Sequence, residues 1–75
     1  MNVIVVATKT CHHCPDLNRL LNDFGIPHIV QYAEKNPELV KKYLIAKSPT
    51  IIVDDEVVFR GMPPISDLKK FFKID

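Results

Sequence analysis

The sequence predicts an α/β domain with a four-stranded mixed sheet and helices on both faces. Three patterns indicate this class. The β-branched run Val3 to Ala7 has no polar alternation, which is typical of a strand buried on both faces. Two β-rich segments flank Asp54-Asp55, a pair that tolerates the positive φ of a hairpin turn. Apolar residues recur at the helical spacing i, i+3, i+4, i+7 at Leu17, Leu20, Leu21 and Phe24.

The remaining elements follow from start and stop signals. The first helix is expected from about Cys11, with Pro15 in its first turn, and ends at Gly25. A second strand covers Ile26 to Tyr32. Asn36-Pro37 has the pattern of an N-cap followed by a first helical residue, and the helix must end before Ser48-Pro49. The predicted apolar face of this second helix comprises Leu39, Val40, Tyr43 and Leu44.

The C-terminal third predicts a hairpin and a last helix. The hairpin strands are Thr50 to Val53 and Glu56 to Phe59, and Gly61 closes the second of them. Pro63-Pro64 leads into the helix, whose apolar face is expected to contain Ile65, Leu68, Phe71 and Phe72. The element order is therefore β-α-β-α-β-β-α, in which the first strand-helix-strand unit is parallel and right-handed and the hairpin is antiparallel.

Length and charge narrow the function classes. The 75 residues are expected to form a single domain over 1–75. Ten basic and nine acidic residues leave a formal charge of +1. The chain therefore lacks the excess of basic residues that would predict binding to nucleic acid or to an anionic membrane. The chain shows no secretory leader pattern and no apolar span, and we expect a cytoplasmic location, where stable structural disulfides are uncommon.

The two cysteines of the chain, Cys11 and Cys14, are the candidate reactive groups. Two thiols at this spacing can close and reopen a small disulfide ring, and their place just after the first strand predicts a site at the carboxyl edge of the sheet. A purely structural disulfide is a weaker interpretation, because so short a loop constrains the unfolded chain little. The alternative from another class is a metal or iron–sulfur carrier that uses Cys11 and Cys14.

The metal interpretation has specific weaknesses. The four consecutive residues Cys11 to Cys14 cannot all bind one tetrahedral ion without strain, and His28 is the one further Cys or His candidate. A small copper-carrier domain would read β-α-β-β-α-β and carry methionine where this chain has Lys9. We therefore assign no metal ligand and expect no cofactor.

Three motifs in this order resemble the thioredoxin and glutaredoxin superfamily over essentially the whole chain. They are Cys11-x-x-Cys14 at a helix start, Ser48-Pro49-Thr50 at the entry of the third strand, and Gly61 after a hairpin. The resemblance implies a thioredoxin-like fold in which Pro49 is a cis-proline opposite the disulfide. It also implies that a substrate backbone pairs near Ser48, with substrate-binding residues Thr10, Ser48, Pro49, Thr50 and Gly61.

The subfamily pattern is mixed. The short N-terminal part is similar to glutaredoxins, but Gly61 is followed by Met62-Pro63-Pro64 in place of the paired glycines and polar or acidic residue usual in glutathione-binding members. Thioredoxins often bury an acid in the first strand, six residues before the nucleophile, and this chain has Val5 there.

The predicted activity is thiol–disulfide exchange. Cys11 is expected to attack, because a helix N-terminus stabilises a thiolate and lowers its pKa, and a protonated His12 or His13 would add to this. His13 is favoured because relatives carry histidine there. Cys14 is expected to be more buried and to resolve the mixed disulfide.

The expected partners are a disulfide-containing protein or a small thiol substrate, and a reductant that is either glutathione or a thioredoxin-reductase-type flavoprotein. We expect a monomer that binds neither nucleic acid nor membrane. A redox-inactive, protein-binding module of the same fold is the other alternative.

Overall fold

The computed structural model describes residues 2–73. The elements follow the predicted order, with one additional 3-10 turn between the second strand and the second helix. They are β1 (Val3–Ala7), α1 (Cys14–Asp23), β2 (Ile29–Tyr32), the 3-10 turn (Ala33–Lys35), α2 (Pro37–Tyr43), β3 (Thr50–Val53), β4 (Glu56–Arg60) and α3 (Ile65–Phe72).

The four strands form one mixed sheet in the order β2-β1-β3-β4. Strand β1 pairs in parallel with β2 and antiparallel with β3, and β3 pairs antiparallel with β4. The predicted central position of β1 is confirmed, since Val5 and Val6, which point to opposite faces, are both fully buried. The predicted mixed α/β architecture is therefore confirmed.

Helices cover both faces of the sheet. On one face, α1 and α3 supply Leu17, Leu21 and Leu68 to a core that includes Val5 and Ile51. On the other face, Arg60 lies opposite Thr50 in the ladder and reaches the end of α2. Its guanidinium donates to the carbonyl oxygens of Tyr43 and Leu44, both at 3.0 Å, and so occupies acceptors that the helix itself leaves unpaired.

The end of α1 explains why β2 is shorter than predicted. Gly25 has φ of +70°, and the N–H of Ile26 donates to the Leu21 carbonyl at 2.9 Å, which is the Schellman arrangement. This bond commits Ile26 to the helix cap, and Pro27 has no N–H for a ladder. Residues 26–28 therefore lie outside β2, and the predicted strand start at Ile26 was wrong.

The hairpin turn between β3 and β4 agrees with the prediction. Asp54 and Asp55 both have positive φ, at 50° and 68°, as expected for a two-residue turn that matches the strand twist. Strand β4 extends one residue further than predicted, to Arg60, and its pairing with β3 shifts register between Ile51 and Ile52.

Some predicted apolar contacts on α2 and α3 are not made. Leu44 is 78% exposed and left-handed, with φ of 52°, because it caps α2 instead of continuing its apolar face. On α3, Ile65 is 50% exposed, whereas Phe71, although 39% exposed, packs edge-on against the rings of Phe59 and Phe72, with ring centroids 5.7 and 5.0 Å apart. Leu68 alone of the predicted α3 face is fully buried. Asn36 precedes α2 as predicted, but its side chain donates to the Tyr32 carbonyl at 2.9 Å and does not cap the helix.

Within residues 2–73, no helix is long and apolar enough to cross a membrane.

Candidate functional site

The two cysteines form a disulfide at the carboxyl edge of β1. Cys11 and Cys14 are bonded to each other, with 5.6 Å between their Cα atoms. Helix α1 begins at Cys14, so Cys11 lies in the preceding loop. Cys11 was expected at or just before the helix N-terminus, and it lies just before it, since the first helical hydrogen bond runs from the Leu17 N–H to the His13 carbonyl at 3.0 Å.

Cys11 and Cys14 differ in their accessibility to solvent. Cys14 is 6% exposed and belongs to the buried residues, whereas Cys11 is half-buried. His12 and His13 between them are both exposed, and His13 occupies the N-cap position of α1 without a side-chain hydrogen bond to the helix. This difference agrees with the predicted order of burial for the pair.

The loop that carries Cys11 is tied to the sheet on two sides. Its own turn is closed by the Cys11 N–H, which donates to the Thr8 carbonyl at 3.2 Å. The Thr8 hydroxyl oxygen lies 3.1 Å from that of Ser48, which precedes β3. On the other side, the Lys9 N–H donates to Oε2 of Glu34 at 2.9 Å.

Thr8 and Glu34 were not identified from the sequence, although strand register offered a signal. Val6 pairs with Thr50 in an antiparallel ladder, and continuing that ladder by two residues brings Thr8 opposite Ser48. Ala7 pairs with Tyr32 at the end of the parallel ladder, and Glu34 lies two residues further on, in the 3-10 turn, from where its side chain reaches the Lys9 N–H. The Thr8–Ser48 contact therefore extends the β1–β3 ladder past its last strand residues.

The Ser48-Pro49 motif lies on the β3 side of this loop. The peptide between Ser48 and Pro49 is cis, as the resemblance implied. The Pro49 carbonyl accepts a 2.8 Å hydrogen bond from the N–H of Gly61, whose φ is +100°. Backbone positions on both sides of the hairpin are therefore joined at the edge that carries the disulfide.

The predicted substrate residues divide by accessibility. Thr10 is exposed, and Ser48 and Gly61 are half-buried. Thr50 is fully buried, and its hydroxyl donates to the Lys47 carbonyl at 2.6 Å. Its hydroxyl therefore holds the turn before Pro49, and the substrate contact of Thr50 stays a prediction. Pro49 is likewise fully buried.

The metal alternative gains no support from the described part of the chain. Across residues 2–73, no three His, Cys, Asp or Glu side chains lie together in a group that could hold a metal ion. The ring nitrogens of His28 lie 3.1 Å from the Ile26 carbonyl oxygen and 3.2 Å from Oδ1 of Asn18. His28 thus contacts Asn18 in the middle of α1 and the loop that follows the helix.

The fold and the bonded Cys-x-x-Cys pair together define a thioredoxin-like domain with a redox-type thiol site. Comparison with protein families agrees: the model described as a thioredoxin domain matches residues 1–73. The chain belongs to the thioredoxin domain family.

Solved structures show the same fold at low sequence identity. A mutant of the thioredoxin-like protein BC3987 superposes with a TM-score of 0.75 at 21% identity, covering 95% of this chain and 99% of that one. Thioredoxin 1 from the thermophilic eubacterium Thermosipho africanus superposes with a TM-score of 0.72 at 18% identity, covering 97% of this chain and 91% of that one. No curated protein sequence matches the chain.

Proposed function

We propose that the protein is a thiol–disulfide oxidoreductase that works through Cys11 and Cys14 by a dithiol mechanism. The observation that carries this is the bonded pair itself, with one half-buried and one buried member at the open edge of the sheet. Cys14 is buried but within bonding distance of the accessible Cys11. This position suits Cys14 to the second step of an exchange, in which the substrate does not need to reach it.

The reaction balances as two successive exchanges. In the first, the Cys11 thiolate attacks one sulfur of a substrate disulfide, forms a mixed disulfide and releases the other substrate sulfur, which takes up a proton. In the second, Cys14 loses its proton and attacks the Cys11 sulfur, which closes the Cys11–Cys14 bond and releases the second substrate thiol. Two electrons pass from the protein dithiol to the substrate disulfide.

The proposed substrate surface is the edge around Thr10, Ser48 and Gly61. Thr10 immediately precedes Cys11, Ser48 forms the cis peptide with Pro49, and Gly61 donates its N–H to the Pro49 carbonyl. All three residues are at least partly accessible, and the Ser48 hydroxyl oxygen lies 3.1 Å from that of Thr8. An extended substrate segment there would place its disulfide beside Cys11. The proposed substrates are disulfide-containing proteins or small disulfides, and the protein acts as a monomer in the cytoplasm.

Turnover requires a reductant, which we propose to be either a small thiol such as glutathione or a flavoprotein of the thioredoxin-reductase type. Insulin reduction, followed by turbidity with dithiothreitol as reductant, tests the activity. We expect the natural chain to accelerate precipitation and Cys11→Ser to give the uncatalysed rate. Equal rates with the natural chain, with Cys11→Ser and without protein would overturn the proposal and favour a binding module.

A further inference from the structure

The 3-10 turn after β2 is held by hydrogen bonds of its own. The turn covers Ala33–Lys35 and is followed by Asn36. Asn36 closes it twice, because its side-chain amide donates to the Tyr32 carbonyl at 2.9 Å and its backbone N–H donates to the Ala33 carbonyl at 3.2 Å. The side chain that was expected to cap α2 therefore fixes the turn before that helix instead.

Glu34 lies in the middle of this turn and reaches the loop that carries Cys11. Its Oε2 accepts the Lys9 N–H at 2.9 Å, and both residues are exposed. Lys9 lies two residues beyond Ala7, where the β1–β2 ladder ends, and two residues before Cys11. A carboxylate is a strong acceptor for a backbone N–H. Glu34 thus supplies an acceptor beyond the end of the ladder, close to the attacking cysteine.

The oxidised and reduced forms of the cysteine pair depend on this contact to different degrees. In the oxidised form, the disulfide itself ties Cys11 to Cys14. In the reduced form that covalent bond is gone. Cys14 is still held by its burial at the start of α1, whereas Cys11 lies in a loop that is held by the contacts of Thr8 on one side and Glu34 on the other. The position of Cys11 is therefore the one that these contacts control.

Closure of the disulfide is an intramolecular step, and its rate and equilibrium both follow the effective concentration of one sulfur at the other. We propose that Glu34 is a positioning residue for this step. By accepting the Lys9 N–H it keeps the sulfur of Cys11 within reach of Cys14 and shortens the lifetime of the mixed disulfide. The inference rests on the proposed function, because closure is the second exchange of that reaction.

Stopped-flow reaction of the reduced protein with 2,2′-dithiodipyridine separates the two exchanges. The Cys11 thiolate attacks this neutral disulfide and releases one thiopyridone. Cys14 then loses its proton and attacks the Cys11 sulfur, which closes the protein disulfide and releases the second thiopyridone. Two electrons pass from the protein dithiol to the reagent. The rate of the first release rises with reagent concentration and that of the second does not, so the absorbance of the product resolves both.

Glu34→Ala should slow the second release about threefold, toward the low end of what one hydrogen bond contributes, because this one is exposed. Glu34→Gln keeps an acceptor for the Lys9 N–H and should restore the second release. Both variants lose the same charge, so any change in the first release should be equal in the two. A threefold loss in the closure equilibrium also raises the reduction potential of Glu34→Ala by about 14 mV, at 29.6 mV per tenfold change, as measured in glutathione buffers.

Glu38→Ala is the matched control, because it removes another exposed acid, in the first turn of α2. It should leave the second release and the potential unchanged. An unchanged second release in Glu34→Ala would overturn the role of Glu34. So would equal slowing in Glu34→Gln or in Glu38→Ala, since a general effect of charge would then explain the result.

The same experiment distinguishes this inference from the proposed function. If the natural chain reduces insulin and releases both thiopyridones, but Glu34→Ala closes its disulfide at the natural rate, the role of Glu34 is overturned and the proposed function stands. If the natural chain neither reduces insulin nor gives a second release, the proposed function itself is overturned.

Discussion

The hydroxyl groups of Thr8 and Ser48 lie 3.1 Å apart and join the loop that carries Cys11 to the residue before Pro49. These residues are 40 positions apart in the chain, and the bond is partly buried. It lies two residues beyond the last β1–β3 pair, Val6 and Thr50, and so continues the ladder with side chains where the backbone pairing ends. The two parts of the proposed site are thereby held in a defined relation.

Thr8→Val and Ser48→Ala, separately and together, should show that these hydroxyls are coupled. Each single variant is expected to destabilise the fold by about 1 kcal/mol, the net value of a typical partly buried hydrogen bond. Urea unfolding of the three variants gives a double-mutant cycle, with an expected coupling of about 0.5–1.5 kcal/mol. Strict additivity would show that the bond contributes nothing. Ser66→Ala, at an exposed serine of α3, serves as the control.

Gly61→Ala should affect both stability and substrate reduction. Gly61 has φ of +100°, a backbone conformation that is strained for alanine. Space is not the obstacle, because the nearest atom to an added Cβ would be Lys47 Cδ, at 4.0 Å. We expect a loss of about 1–3 kcal/mol from the backbone alone, and slower insulin reduction because the Gly61–Pro49 hydrogen bond moves. The measurements are urea unfolding and the turbidity assay.

Gly25→Ala is the matched control for Gly61→Ala. Gly25 has φ of +70° and open space around its Cα, but it lies at the far end of α1 from Cys14. It should lose about 1 kcal/mol of stability and retain the reduction rate. Equal loss of rate in both glycine variants would show that destabilisation, and not the position of Gly61, slows the reaction.

Leu44→Gly should stabilise the fold. Leu44 has φ of 52° and is 78% exposed, so glycine removes the left-handed strain and sacrifices little burial. The expected gain is about 0.5–1 kcal/mol, measured as a higher urea midpoint. Leu44→Ala keeps the strained conformation and should change stability by less than about 0.5 kcal/mol. A loss of about 2 kcal/mol or more in Leu44→Ala would instead indicate a buried leucine.

His13→Gln should make the dithiol couple more reducing. We propose that a protonated imidazole next to Cys14, at the N-cap of α1, stabilises the reduced, thiolate-bearing form of the couple, so that its removal lowers the potential. The expected change is about 10–30 mV, where 30 mV corresponds to roughly 1.4 kcal/mol. Equilibration with glutathione buffers measures it, and His12→Gln should give a smaller change. An unchanged or higher potential in His13→Gln would contradict this role.

Much of the fold was predictable because its signals are local. The run Val3–Ala7, the helical spacing of Leu17 and Leu21 and the paired aspartates of the hairpin each depend on neighbouring residues, and all three predictions were confirmed. Element ends were less predictable. The Ile26 N–H could pair in a strand or cap a helix, and the structure shows that it donates to the Leu21 carbonyl while the side chain packs against the core.

The site was predictable in its cysteines and less so in its surroundings. Cys11, Cys14 and Pro49 carry a motif, whereas Thr8 gains its partner through strand register, which is known only once the pair Val6–Thr50 is known. Glu34 reaches the Lys9 N–H from the 3-10 turn after β2. The burial of Thr50 follows from its place in an interior strand with neighbours on both sides. Its short polar side chain gives no local sign of this.

Trapping of mixed disulfides distinguishes the attacking cysteine from the resolving one. Reduced Cys14→Ser and Cys11→Ser are incubated with the same disulfide-bonded protein, quenched in acid, and separated without reductant. We expect Cys14→Ser to accumulate a covalent adduct through Cys11, because the resolving thiol is missing, and Cys11→Ser to form almost none, because Cys14 is buried. Equal adduct formation by the two variants, or adduct in Cys11→Ser alone, would contradict the assigned roles.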